Sequence, residues 1–219
     1  MPLPMVHLAI AVRLAARHDQ RPSPAFLLGS LSPDAIHMRP DHTQADKQNT
    51  HLSPDTSDHP RVQALLAEHT QDTLSGFAAG YAAHLLTDRL WLEQRNPMFS
   101  SDGLAGLDEA AQRTLYYAET DQVDFNLYHG ASWRQDIWRR LAAAEAVEFP
   151  PLLSAAEIAA WRDRTLRWFT EIKHEPKITP LYFTDELVET FIEEATAHVA
   201  AQFAAWGVNR IYLHTSDAV

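Results

Sequence analysis

The sequence predicts an all-α fold, a single-domain helical bundle spanning residues 1–219, and three observations carry that expectation. Glycine occurs only seven times in 219 residues, alanine and leucine are abundant, and apolar residues recur at helical spacing along most of the chain. Hydrophobic residues make up 46%, enough for a substantial core, which excludes wholesale disorder.

The elements follow in order. Residues 5–17 place Leu8, Ala11, Val12 and Ala15 on one stripe, and Arg21-Pro22-Ser23-Pro24 stops that helix. A short apolar piece, Ala25–Leu31, leads into Ser32-Pro33-Asp34. Residues 38–60 are polar and carry three prolines, so they read as a long irregular loop of the kind that is more often functional than idle. Helical patterning resumes near Pro60, which suits a first turn, and runs to about Gln94 with a break around Thr70–Ser75. Residues 96–108 read as a loop. Further helices are expected at about 106–119, 133–147, 154–173 and 184–206. Ile158, Trp161, Trp168 and Ile172 mark the buried side of the third of these; in the fourth, Leu187, Phe191, Glu194 or Ala195, and His198 share a face, with Val188, Ile192, Val199 and Phe203 nearby. Arg210–Leu213 suits a short strand or a docked extension.

Charge and composition narrow the function. The formal charge of −11 repels nucleic-acid phosphates, and no dense Lys/Arg patch overrides it, so long nucleic acids are not expected as partners. Arg134, Arg139 and Arg140 read as a solvated helix face. No apolar run approaches the roughly 20 residues that span a bilayer, and the N-terminus lacks a secretory pattern, so a soluble, cytoplasmic protein is expected. Cysteine is absent, so a metal would be held by imidazole and carboxylate.

The informative segment is Phe77-Ala-Ala-Gly-Tyr81-Ala-Ala-His84-Leu-Leu-Thr-Asp88-Arg-Leu-Trp91. Residues 77, 81, 84, 88 and 91 share one helical stripe, and its three aromatics turn it toward the interior. His84 and Asp88, at i and i+4, therefore converge where an unpaired carboxylate costs several kcal/mol. Two arrangements satisfy them: a His–Asp hydrogen bond sealed in the core, or a shared cation. Other polar residues stand in apolar surroundings, each with a bland alternative. His7 suits a core or capping histidine, Asp34 an N-cap for Ala35–Arg39, and His51 an exposed loop. Together they supply three histidines and two carboxylates, a set that suits zinc or another divalent transition metal, as one ion or two. His37 can join at i+3 from Asp34. His18, His42, His59, His69, His129, His174, His198 and His214 show no pairing.

The order His7, Leu-Gly-Ser-Leu-Ser-Pro-Asp34, His51, then Gly80-Tyr81-x-x-His84-x-x-x-Asp88-x-x-Trp91, resembles the zinc-dependent phospholipase C family and, more remotely, zinc nucleases of the same helical fold. The likeness covers roughly the first 95 residues. It implies that His7 binds one zinc, that Asp34, His51 and His84 bind another, and that Asp88 bridges the two. It also implies that Asp34 doubles as the catalytic base for attack of water on phosphorus. Relatives with a third zinc hold it partly by a histidine soon after the bridging aspartate, whereas Arg89–Asn96 has none, so at most two metals are expected. Relatives also use a mature N-terminal amine, for which Met1 or Pro2 would have to stand in.

The resulting expectation is a metal-dependent hydrolase acting on small or soluble phosphoesters or phosphodiesters, with Arg89, Arg39 and Lys47 as candidate phosphate anchors and Tyr81 and Trp91 as packing. The competing expectation is a non-catalytic helical protein with a structural metal. A helical phosphohydrolase of the adjacent His-Asp type ranks last, because its only dipeptide, His18-Asp19, precedes a Pro-rich loop. The sequence leaves the oligomeric state open.

Overall fold

The computed structural model describes residues 3–52, 59–69, 74–100 and 104–208. Among them every regular element is a helix, with an isolated bridge between Phe149 and Leu153 and no strand, so the all-α expectation holds. No helix among the described residues is long and apolar enough to cross a membrane.

Helix α1 (Pro4–Ala16) opens on a proline, whose missing N–H is one of the groups a helix start leaves unpaired anyway. Its Met5 N–H donates to Asp124 Oδ1 at 2.9 Å, so a carboxylate from a distant helix completes the cap. Burial extends well beyond the predicted stripe: Met5 through Ala11, Leu14 and Ala15 are all buried, while Val12 is only half-buried, because helices enclose α1 on several sides. Helix α2 (Pro24–Gly29) starts at Ser23, whose hydroxyl accepts from Phe26 N–H. A 3-10 helix (Ser32–Met38) follows.

The irregular loop predicted for 38–60 is corrected by helix α3 (Gln44–Thr50). Thr43 and Asp46 form a reciprocal capping box there, a signal obscured in the sequence by Asp rather than Glu at the third helical position. Residues 53–58 lie outside the described residues. Helix α4 (His59–Glu68) begins where Pro60 placed it, and the expected break at 70–75 falls largely on undescribed residues. Helix α5 (Ser75–Met98) runs four residues past the predicted end at Gln94.

Helix α6 (Glu109–Gly130) starts at the Asp108 cap and extends eleven residues beyond the predicted end at 119. The polar run Glu119–Asp124 obscured it: Glu119, Thr120, Gln122 and Asp124 are buried, Thr120 bonded within its own helix and the other three to distant residues. Glu119 alone accepts the backbone N–H groups of Leu181, Tyr182 and Phe183 at 2.9, 3.0 and 2.9 Å. Helices α7 (Arg134–Ala142), α8 (Ala155–Trp168) and α9 (Asp185–Ala205) lie inside their predicted spans, α8 with a Ser154–Glu157 capping box. Ile172 belongs to a separate 3-10 turn, Ile172–His174. Arg210–Leu213 lies outside the described residues.

The crossing of α2 and α5 sets the site. A Cβ on Gly29 would lie 2.1 Å from the Phe77 carbonyl oxygen, and one on Gly80 would lie 2.1 Å from that of Phe26. The two backbones touch there, which only glycine allows.

Candidate metal centre

The stripe predicted on α5 faces inward: Phe77, Tyr81, His84, Asp88 and Trp91 are all buried. Because α1 packs against α5, His7 stacks on His84 with ring centroids 3.8 Å apart and planes 7° apart. The 3-10 helix brings Asp34, and the residue that ends α3 is His51. All five residues named from the sequence thus meet in one place.

Two imidazoles are oriented by backbone carbonyls. His84 Nδ1 donates to the Ser30 carbonyl at 2.9 Å, and His51 Nδ1 donates to the Lys47 carbonyl at 2.9 Å. A carbonyl only accepts, so each Nδ1 carries a hydrogen and each Nε2 is the nitrogen turned to the interior. Tyr81 goes beyond the packing role expected of it: its hydroxyl donates to the Thr50 carbonyl, fixing the end of α3 beside His51. Trp91 likewise donates its indole N–H to the Tyr116 hydroxyl at 2.8 Å.

The Nε2 atoms surround the carboxylates without bonding to them. His7 lies 3.4 Å from Asp88 Oδ1; His84 and His51 lie 3.6 and 3.5 Å from Asp88 Oδ2; His51 lies 3.6 Å from Asp34 Oδ1. These separations exceed a normal N–H···O bond. They match the edge of a tetrahedron of about 3.3–3.6 Å around an ion whose ligands stand about 2.0–2.2 Å away. Both nitrogens of His7, Nε2 of His51 and His84, and Oδ1 of Asp34 and Asp88 are buried with no hydrogen-bond partner. Leaving such groups unsatisfied costs about 1–3 kcal/mol each. A sealed His–Asp hydrogen bond does not account for six orphaned atoms, whereas a cation accounts for the converging Nε2 and oxygen atoms. Two groups have the spacing to hold one, His7 with His84 and Asp88, and Asp34 with His51 and His84.

Electrostatics accompany this geometry. Burial opposes ionisation of Asp34, but the His51 ring and the His84 charge hold its carboxyl at about 2. Burial opposes ionisation of Asp88 as well, and His84 and His7 hold it well below the usual range. His7 is pushed down to about 4 by burial and by His84, which keeps its ring neutral at pH 7.

The remaining candidates sit apart. His37 Nε2 is 4.0 Å from Asp34 Oδ1, outside both ligand groups, and its Nδ1 is 3.3 Å from His42 Nε2, a pairing the sequence did not suggest. Asp34 lies inside the 3-10 helix, whose cap position is Leu31, so the N-cap alternative is corrected. Arg39 is bound to Glu157 at 2.6 Å, to Asp46 and to the Leu152 carbonyl, tying the 3-10 helix to α8 rather than facing a ligand. Arg89 is paired with Glu93 at 2.9 Å. Lys47 is half-buried, and its positive charge bears on His37.

No family model, no curated protein and no solved structure matches the chain. Fold and site therefore define the class by themselves: an all-α protein with buried His/Asp groups that could hold a metal ion.

Proposed function

We propose that the protein is a zinc-dependent phosphoester hydrolase of the phospholipase C type, acting on small or soluble phosphomonoesters or phosphodiesters. The observation that carries the reading is the convergence of five side chains from four separate elements, with orphaned donor atoms facing carboxylate oxygens at tetrahedral-edge distances. Imidazole nitrogen and carboxylate oxygen without thiolate suit zinc, with other divalent transition metals as substitutes. Such an ion supplies Lewis acidity toward a phosphoryl oxygen and acidifies water.

The chain's own residues do the rest. Asp34, His51 and His84 would hold one position and His7, His84 and Asp88 the other, so His84 belongs to both groups. Side-chain exposure rises from 0% at His84 and 2% at His7 through 9% at Asp34 and Asp88 to 14% at His51, so the site opens on the side of His51, 3.6 Å from Asp34 Oδ1. Asp34, ionised and at that edge, accepts the proton of an attacking water.

A second reading, a non-catalytic protein with a structural metal, has one observation in its favour: the His7, His84 and Asp88 group is sealed, with side-chain exposures of 2%, 0% and 9% that leave little room for a substrate. Two measurements separate these. Elemental analysis should find one or two zinc ions per chain, with loss of metal in His84→Ala and Asp88→Ala; unchanged content in both variants ends the metal assignment. Chromogenic phosphomonoesters and phosphodiesters should be turned over by the metal-loaded chain and not after chelation; silence with full metal content moves the conclusion to a structural ion.

A further inference from the structure

Helix α8 faces the 3-10 helix that carries Asp34, and its residues 161, 164, 165 and 168 fall on one stripe. The ring of Trp161 lies 5.9 Å from that of His37, whose Nε2 is 4.0 Å from Asp34 Oδ1. Arg164, half-buried, holds its guanidinium carbon 4.8 Å from the Trp161 ring and 4.5 Å from the Trp168 ring. Among the described residues it has neither ion pair nor hydrogen bond. Arg39, Arg89 and Arg162 in the same acidic chain each hold a carboxylate, at 2.6, 2.9 and 2.8 Å. Burial lowers the pKa of Arg164, against the opposing pull of Asp34 and Asp121, so the guanidinium lies within electrostatic reach of the metal centre. Two further donors on the stripe lack partners: the indole Nε1 of Trp161, a residue 7% exposed, and Oγ1 of the fully buried Thr165.

A guanidinium stacked between indoles keeps its fork of five N–H donors for a planar, bidentate partner. A cation beside a group arranged to hold further cations is electrostatically unfavourable unless an anion lies between them. We propose that Arg164, with the Trp161 indole N–H, forms the oxyanion-binding wall of this centre and holds the phosphoryl group of a soluble phosphoester. The proposal rests on the hydrolase reading above and names the group that recognises its substrate.

Calorimetric titration of inorganic phosphate into the zinc-loaded full chain tests it, with zinc content measured first. Arg164→Gln should keep the zinc and the helical circular dichroism of the wild type and bind phosphate about tenfold or more weakly. Arg164→Lys, which keeps the charge but not the fork, should fall between, and Trp161→Phe should lose a few-fold. Wild-type affinity in Arg164→Gln overturns the anchor and leaves the metal reading standing, as does a zinc-loaded wild type that ignores phosphate. If Arg164→Gln loses its helicity, Arg164→Lys decides, and undiminished affinity there overturns the bidentate fork. Phosphatidylcholine vesicles run in parallel should give no Arg164-dependent response; a response confined to vesicles overturns the soluble-ester assignment. A wild type that takes up no zinc defeats the parent reading, and phosphate titration of that metal-free chain then judges Arg164 alone.

Discussion

His84 illustrates how one residue is committed by both of its ring nitrogens. Its Nδ1–H is bound to the Ser30 carbonyl, which leaves Nε2 to face Asp88, whose charge raises the pKa of the ring against its burial. The i, i+4 spacing brings His84 and Asp88 to one point in any linear reading, but nothing in that spacing names Ser30 as the orienting group. Asp121 makes a separate statement at this scale. Burial raises its carboxyl from 3.8 to about 6, against the pull of Arg164. The folded chain therefore keeps a proton that the unfolded chain has already released, and stability falls as pH rises from about 4 to about 6. Asp121→Asn abolishes that titration. Urea denaturation in chelator should show the variant more stable by about 1 kcal/mol above pH 6, solvent screening of a part-exposed group allowed for, with the difference gone below pH 4. A difference constant across that range counts against the raised carboxyl.

At the scale of elements, the α2–α5 crossing couples packing to the site. A Cβ at Gly80 meets the Phe26 carbonyl oxygen at 2.1 Å and the Ser30 nitrogen at 2.8 Å, both backbone atoms that cannot swing aside. Gly80→Ala should therefore cost about 3 kcal/mol. It should also weaken zinc binding, because the same contact carries the Ser30 carbonyl to His84. Gly130→Ala is the control, since nothing lies within 4 Å of a Cβ there. Equal denaturation midpoints for the two variants would remove the close crossing from the account. The capping box of α3 belongs here as well: it turns a polar stretch into a helix whose last carbonyls hold His51 and receive Tyr81.

For the whole molecule, the candidate ligands come from α1, the 3-10 helix, the end of α3 and α5, and the intervening chain must fold before they meet. An ion that binds only the folded chain stabilises it by RT ln(1 + [L]/Kd), about 4 kcal/mol at a thousandfold excess over Kd. For a chain of this size that corresponds to a rise in Tm on the order of 10 °C. Chelation should lower the Tm of the wild type by that order and leave His84→Ala unmoved in calorimetry. Identical wild-type transitions with and without chelator would show that no bound ion links these elements.

By itself the sequence determined the helical class, the start of α4, the inward stripe of α5 and the five residues that gather at the centre. Those features are written in local periodicity and residue chemistry, which a linear reading can reach. The tertiary structure alone decided which backbone carbonyls orient the histidines, that Arg39 is engaged by Glu157 while Arg164 forms no ion pair among the described residues, and that much of the polar half of α6 is buried. The Thr50, Ser30, Leu181 and Glu157 partnerships span between 31 and 118 positions, a separation that leaves no trace in the sequence, and the Lys47 carbonyl reaches His51 only through a helix hidden in a polar stretch.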